Sequence, residues 1–448
     1  MPIVSNFILR DGVALVADQL SASDAGETFA RLTGHFALHL RGEGTHLLAR
    51  DLLGVNKLFF AVGPQGEVDS SSYFHDLVRR GHAPARIWSV PSGHLVRISP
   101  DRRALVLEKY SPLTFADDAP AVDAELPRHA ARIRQRLEAT FQALGRALAG
   151  RRVYVTLSGG LDSTTVAALA SAHIADLTAI TFAVAGASPR RPRDGDGFAD
   201  GYDEGSDLRY ASRVAAALGI PLHIVEVGRD ALVELLDDVL LYGQDYRDFN
   251  VHCGLVNAAL GRAIATLSPA SDRAAPGDRP VVLTGDTMNE LMADYTPVQY
   301  AARDHYALPR LAAGRLRRFL VGGLDSGDRE VGIFARWGID TVQPYALIPD
   351  AYTTLPGGFL EATGAKQRLA RLVMGERVPD FIYDRPKVRA QVGGSEEVGG
   401  TLAAMVDRGI DGAELERRFR DLVGFDAPEL RRWIRAGVYR FTTSYPGD

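Results

Sequence analysis

The sequence predicts an α/β protein in two parts: a mostly β N-terminal part, then a C-terminal doubly wound parallel sheet with added helices. Three observations predict it. From residue 153 onward, short β-branched and apolar runs alternate with helix-compatible segments. The first such run, 153–157, passes through Ser158-Gly159-Gly160-Leu161-Asp162-Ser163 into an Ala- and Val-rich stretch, which reads as strand, glycine turn and helix start. Before residue 110 the chain carries short strand-like runs separated by turn residues.

The elements follow in order. Residues 13–17 are strand-like. Residues 34–40 alternate, and 45–50 follow a glycine-containing turn at 41–44, as in a hairpin. Residues 57–62, 87–89 and 94–98 are further strands, with Pro91-Ser92-Gly93 as a turn. Residues 112–127 are acidic and rich in Pro and Ala, as a linker is. Residues 130–149 place Leu137, Phe141, Leu144 and Leu148 on one helical face. Strands at 153–157, 177–185, 222–227 and 281–283 are interleaved with helices at 164–172, 207–218, 230–241 and 252–267. A loop is expected at 268–279. The remainder is mostly helical, at 301–320, 330–337, 364–372 and 428–438. Residues 186–206, rich in Gly, Arg, Asp and Pro, predict a surface loop, with a lid over the site as the sharper reading. A second GGLDS, at 322–326, lacks a preceding strand and reads as a loop.

Composition narrows the function. The 448 residues suffice for two domains, and a net charge of −5 gives no nucleic-acid footprint. Cys253 is the single cysteine, which excludes a disulfide and a thiolate cluster. No apolar run approaches membrane length, so a soluble, cytoplasmic protein with no membrane partner is expected. Lysine occurs only at Lys57, Lys109, Lys366 and Lys387 among 51 basic residues. A lysine kept in an arginine-rich chain marks positions where a compact ammonium is needed.

The glycine turn carries the chemistry. Two glycines let the backbone approach an anion, and free N–H groups at the helix start point at it. Ser158, Ser163 and Thr164 add hydroxyls. Asp162 fits beside bound phosphate if it holds a divalent cation. In parallel sheets ligands sit beyond the carboxyl ends of the strands, so the loops after Leu157, Ala185 and Leu283 should converge. The third of these places Asp286 and Glu290 at a strand end.

SGGLDS resembles the pyrophosphate loop of the ATP pyrophosphatase superfamily, in its asparagine synthetase branch. LTGDTMNELMADY, at 283–295, resembles the family's second signature, of the type LSGEGSDELFGGY. Ala365-Lys366-Gln367-Arg368-Leu369 and Arg385-Pro386-Lys387 resemble its C-terminal pattern, and the latter reads like the β-lactam synthetase branch. The resemblance covers roughly residues 30–110 and 130–395. It implies a domain at 1–112 similar to a truncated glutaminase (Ntn-hydrolase-like) domain, a linker at 113–129 and a synthetase domain at 130–448. The N-terminal match rests on 34–37, 48–60 and 90–94. That family places a cysteine nucleophile after the initiator methionine. Pro2 stands here and no cysteine lies in the domain, so glutaminase activity is not expected.

The resemblance further implies ATP and Mg²⁺ as cofactors. ATP contacts fall on Leu157, Ser158, Gly159, Gly160, Leu161, Asp162 and Ser163, with Phe182 and Gly285. The metal ligands are Asp162 and Asn289, the latter a neutral amide where the family has an acid. Lys387 supports acyl transfer. Asp286 stands where relatives carry glutamate, tyrosine or histidine near the attacking amine, and Glu290 is the other candidate catalytic acid. The implied reaction joins a small-molecule or peptide carboxylate to an amine, forming AMP and pyrophosphate, in specialised metabolism. A β-lactam-forming or lasso-peptide cyclase and a non-catalytic nucleotide-binding relative are the alternatives. A homodimer is compatible with all three.

Overall fold

Strands buried on both faces need apolar residues at every position, and the central strand, Val153–Thr156, shows how the two faces are used. Val153 and Val155 enter one core with Leu137, Phe141 and Leu144 of the Leu126–Ala147 helix and Val166 of the Leu161–His173 helix. Tyr154 enters a second core with Leu255 and Ile264 of the Asp248–Leu267 helix and with Phe334. Val281 and Leu283 divide from Val282 in the same way.

The computed structural model describes residues 7–24, 26–42, 44–99, 105–110, 113–116, 125–185, 207–268, 279–294, 299–300, 303–304, 311–327, 330–385, 387–388, 390 and 400–424. Five strands form one parallel sheet in the order Leu222–Val227, Leu177–Val184, Val153–Thr156, Val281–Leu283 and Asp340–Val342. The chain winds to one side of the central strand first and then to the other. The switch point therefore lies between Val153–Thr156 and Val281–Leu283, where such sheets open a crevice at the carboxyl ends.

The N-terminal part is antiparallel. Ala37–Gly42 and Thr45–Arg50 form the expected hairpin within a four-stranded sheet that also holds His94–Ile98 and Leu105–Lys109. Two three-stranded sheets complete it. It packs directly on the C-terminal part: Phe59, Phe74 and Leu77 share the second core, and the Tyr73 hydroxyl donates to the Gly332 carbonyl at 2.8 Å.

Several expectations are corrected. The GGLDS at 322–326 lies inside a helix, Ala313–Gly327. The strong helix formers before it extend the helix, and a mid-helix glycine costs only about 1 kcal/mol against alanine. The expected helix at 301–320 begins only at Ala313, because Gln299–Tyr300 and Arg303–Asp304 pair as a short ladder. The helix at 230–241 is two, Arg229–Glu234 and Leu236–Gly243. The helix after the expected linker begins already at Leu126. The expected lid at 186–206 and helix at 428–438 lie outside the described residues.

Burial first pulls the imidazoles of His35, His39 and His75 down to about 4. A depressed histidine pKa gives stability that is present above about 6.5 and lost as pH falls towards 4. Asp51, raised by burial to about 6, acts oppositely between 6 and about 3.8. Burial also lowers His129 and raises Asp207, so four imidazoles act against two carboxyls. The denaturant midpoint should therefore be lower at pH 5 than at pH 7, and an equal or higher midpoint contradicts this.

Candidate active site

The SGGLDS loop is fixed by its own hydroxyls and by close packing. Ser163 Oγ accepts from the Ser158 amide at 3.3 Å and donates to the Gly160 carbonyl at 3.2 Å. Ser158 Oγ accepts from the Gly160 amide at 3.3 Å. Gly159 has φ +69°, and a Cβ there would lie 2.4 Å from Tyr210 Cβ and 2.6 Å from the Ala211 amide. The Leu161–His173 helix starts at Gly160 with no side-chain cap, so its first amides are left to an anion.

The loop after Leu283 lies against this turn backbone to backbone. A Cβ on Gly285 would meet the Ser163 amide nitrogen at 2.8 Å. Two residues on, buried Thr287 has φ +77°, a conformation that strains a β-branched residue by about 1–3 kcal/mol. Its hydroxyl donates to Gln343 Oε1 at 2.8 Å. Gln343 Nε2 donates to Glu330 Oε2 at 2.9 Å, and Thr284 Oγ1 donates to the same oxygen at 2.8 Å. Glu330 is buried at the start of the Glu330–Arg336 helix.

Between the two loops sits a paired-lysine cluster. Lys366 Nζ lies 2.5 Å from Asp162 Oδ2, 2.8 Å from Asn289 Oδ1 and 3.1 Å from Asp294 Oδ2. Lys387 Nζ donates to the same Asn289 oxygen at 2.7 Å, to Asp294 Oδ2 at 2.7 Å and to the Asp294 carbonyl. Burial alone would lower the Lys366 ammonium, but Asp162 and Asp294 outweigh it and hold it above the ordinary lysine value. Burial and the Lys366 charge pull Lys387 below that value, against Asp294. Burial would raise Asp294, yet the two ammoniums hold it below the ordinary carboxylate value. Arg385 closes the floor, donating to the Ser158 carbonyl at 2.9 Å and to Asp207 Oδ1 at 2.5 Å.

One cavity of about 310 Å³ joins these groups. Leu157, Ser158, Gly160, Leu161, Asp162, Ser163, Phe182, Gly285, Asp286, Asn289, Glu290 and Lys387 all line it. Gly159, the remaining expected contact, is buried against Tyr210 and shapes the loop. Sequence reasoning missed Lys366, Glu330, Gln343 and Arg385 as site residues, although the scarcity of lysine marks Lys366 and the C-terminal motifs contain Lys366 and Arg385. Phe249, Cys253, Val256 and Leu260, spaced along one face of the Asp248–Leu267 helix, wall the cavity with an apolar stripe.

The two expected metal ligands differ in fit. Asp162 Oδ1 is buried with no hydrogen-bond partner among the described residues, as a carboxylate oxygen reserved for a cation would be. Asn289 Oδ1 instead accepts from both lysines.

The chain matches the family model described as asparagine synthase over residues 132–326. It is 26% identical over 273 residues to a glutamine-hydrolyzing asparagine synthetase 2 of Oryza sativa subsp. japonica, covering 60% of this chain and 41% of the relative. To the protein of the same name from Lotus japonicus it is 25% identical over 273 residues, covering 60% and 42%. The chain thus spans about two-fifths of the length of these curated relatives. A solved glutamine-dependent NAD+ synthetase from Acinetobacter baumannii, in complex with adenosine diphosphate, is 15% identical with a TM-score of 0.30, covering 79% of this chain and 51% of that one.

Gly159→Ala should weaken ATP binding by about tenfold or more, since both its φ and its neighbours forbid a Cβ. Gly150 also has positive φ but faces open space, so Gly150→Ala should leave ATP affinity unchanged. Calorimetric titration of both variants checks this, and equal affinities would refute the packing argument.

Proposed function

We propose that this asparagine synthetase-like chain is an ATP-dependent, AMP-forming amide synthetase, which adenylates a carboxylate and hands it to an amine. The observation that carries this reading is the layout of the cavity at the switch point. An anion-binding helix start and two ammoniums lie at the switch point, and Asp286, Glu290 and Glu330 lie in the same cavity.

A carboxylate oxygen attacks the α-phosphorus of ATP, and pyrophosphate leaves towards the SGGLDS amides. Leu157 follows the Val153–Thr156 strand and Phe182 lies near the end of the adjacent Leu177–Val184 strand, where the adenine would be held. Lys366 and Lys387 offset the charge that builds on the phosphates and on the oxyanion of the second step. Magnesium would be held by Asp162 Oδ1 together with phosphate oxygens, and when bound it would draw charge towards the leaving pyrophosphate. The amine then attacks the acyl carbonyl and AMP departs with one oxygen of the original carboxylate. Asp286 is the residue for binding the ammonium and taking its proton, with Glu290 beside it.

Pro2 and the lack of a cysteine in residues 1–112 support free ammonia, an external amine or the substrate's own amine as the nitrogen source. The apolar stripe on the Asp248–Leu267 helix favours a substrate with an apolar body, as in specialised metabolism. The non-catalytic alternative rested on Asn289. Its position as shared acceptor for two lysines supports an organised site instead.

ATP–pyrophosphate exchange against a panel of amino acids and related carboxylic acids tests the reading. Exchange with one acid class is expected, and ATP binding without exchange for any acid counts against it. Asp162→Ala should lower exchange about 100-fold or more. Lys387→Ala should slow amide formation by about 10²–10³-fold, and product formed at the wild-type rate removes its role.

A further inference from the structure

We propose that His35 of the N-terminal unit is a positioning residue for the amine end of the cavity, acting through Gln343. The proposal rests on the ligase reading for which acids receive the amine. His35 ends the Leu32–His35 strand and is 1% exposed. Its Nε2 accepts the backbone N–H of Gln343 at 2.9 Å. Gln343 directly follows the Asp340–Val342 strand, the edge strand of the parallel sheet, so an imidazole from the other half of the molecule fixes the backbone at that strand's end. Burial keeps His35 neutral, with a pKa pulled down to about 4, which leaves Nε2 an acceptor at neutral pH.

The Gln343 side chain carries this anchor into the site. Its carboxamide is used at both ends, the nitrogen on Glu330 and the oxygen on the Thr287 hydroxyl. Thr287 is held at positive φ next to Asp286, so the hydrogen bond to Gln343 helps hold a backbone that would otherwise relax. The contacts are continuous from His35 to Gln343 to Thr287 and Glu330. Gln343, Thr287 and Glu330 line the cavity, whereas His35 is not among its lining residues. The N-terminal unit has no thiol, yet through this contact it sets the acceptor end of the neighbouring site.

The test uses the full chain with His35→Ala and His35→Gln. Glutamine can accept the Gln343 N–H through its side-chain oxygen. His35→Ala should keep ATP–pyrophosphate exchange within about twofold, while kcat/KM for the amine falls about tenfold, mainly through KM. His35→Gln should recover most of the loss. Hydrogen–deuterium exchange of residues 284–290 should quicken in His35→Ala and return in His35→Gln. Unchanged amine kinetics and unchanged hydrogen exchange in His35→Ala overturn the proposal, as does His35→Gln being as impaired as His35→Ala. Wild-type protein without pyrophosphate exchange would instead refute the ligase reading, and the hydrogen-exchange comparison then still decides the coupling.

Discussion

The close approach of two backbones at the switch point governs everything else in the C-terminal half. The loop after Leu283 lies on the first turn of the Leu161–His173 helix with no room for a Cβ at Gly285, and Gly159 is pressed as closely on the Asp207–Leu218 helix. Three segments are thereby locked around one helix N-terminus. Only this packing brings Asp162, Asn289 and the acids after Leu283 within reach of one ligand. Val153–Thr156 and Val281–Leu283 supply the platform, because each has side chains in both cores and cannot shift without opening the two.

Charge balance is the second constraint. Asp162 and Asp294 carry negative charge, Lys366 and Lys387 carry positive charge, and the four meet with Asn289 as a neutral acceptor between the ammoniums. Burying four unpaired charges would be prohibitive, and pairing them is what lets two ammoniums stand side by side. An acid at position 289 would add a third negative charge. The neutral amide keeps the cluster even and leaves Asp162 Oδ1 for a cation under the proposed mechanism.

Much of this was legible in the sequence for local reasons. Asp207–Leu218 and Leu222–Val227 fall where periodicity places them. All the expected site residues except Gly159 line one cavity, because the strand–turn–helix signal fixes which loops face the crevice. What stayed hidden depends on contacts distant in sequence. Asp340–Val342 is only three residues long, too short to show a period, and is a strand because it pairs with Val281–Leu283. Glu330 opens a helix as countless surface acids do, and only the sheet's closure buries it beside Thr284 and Gln343. Thr287 is a poor residue for positive φ, so its backbone is imposed by tertiary contacts. The GGLDS at 322–326 misled in the opposite sense, since a helix already under way passes through it.

The central claim is that the cavity joins a carboxylate to an amine through an acyl-adenylate. Isotope transfer tests it without knowledge of the residues. The carboxylate that supports pyrophosphate exchange would be labelled with ¹⁸O at both oxygens and converted to amide, and the AMP would be examined by mass spectrometry. The account predicts a single ¹⁸O in the phosphoryl group of AMP. Unlabelled AMP, or ADP with label in inorganic phosphate, would contradict it.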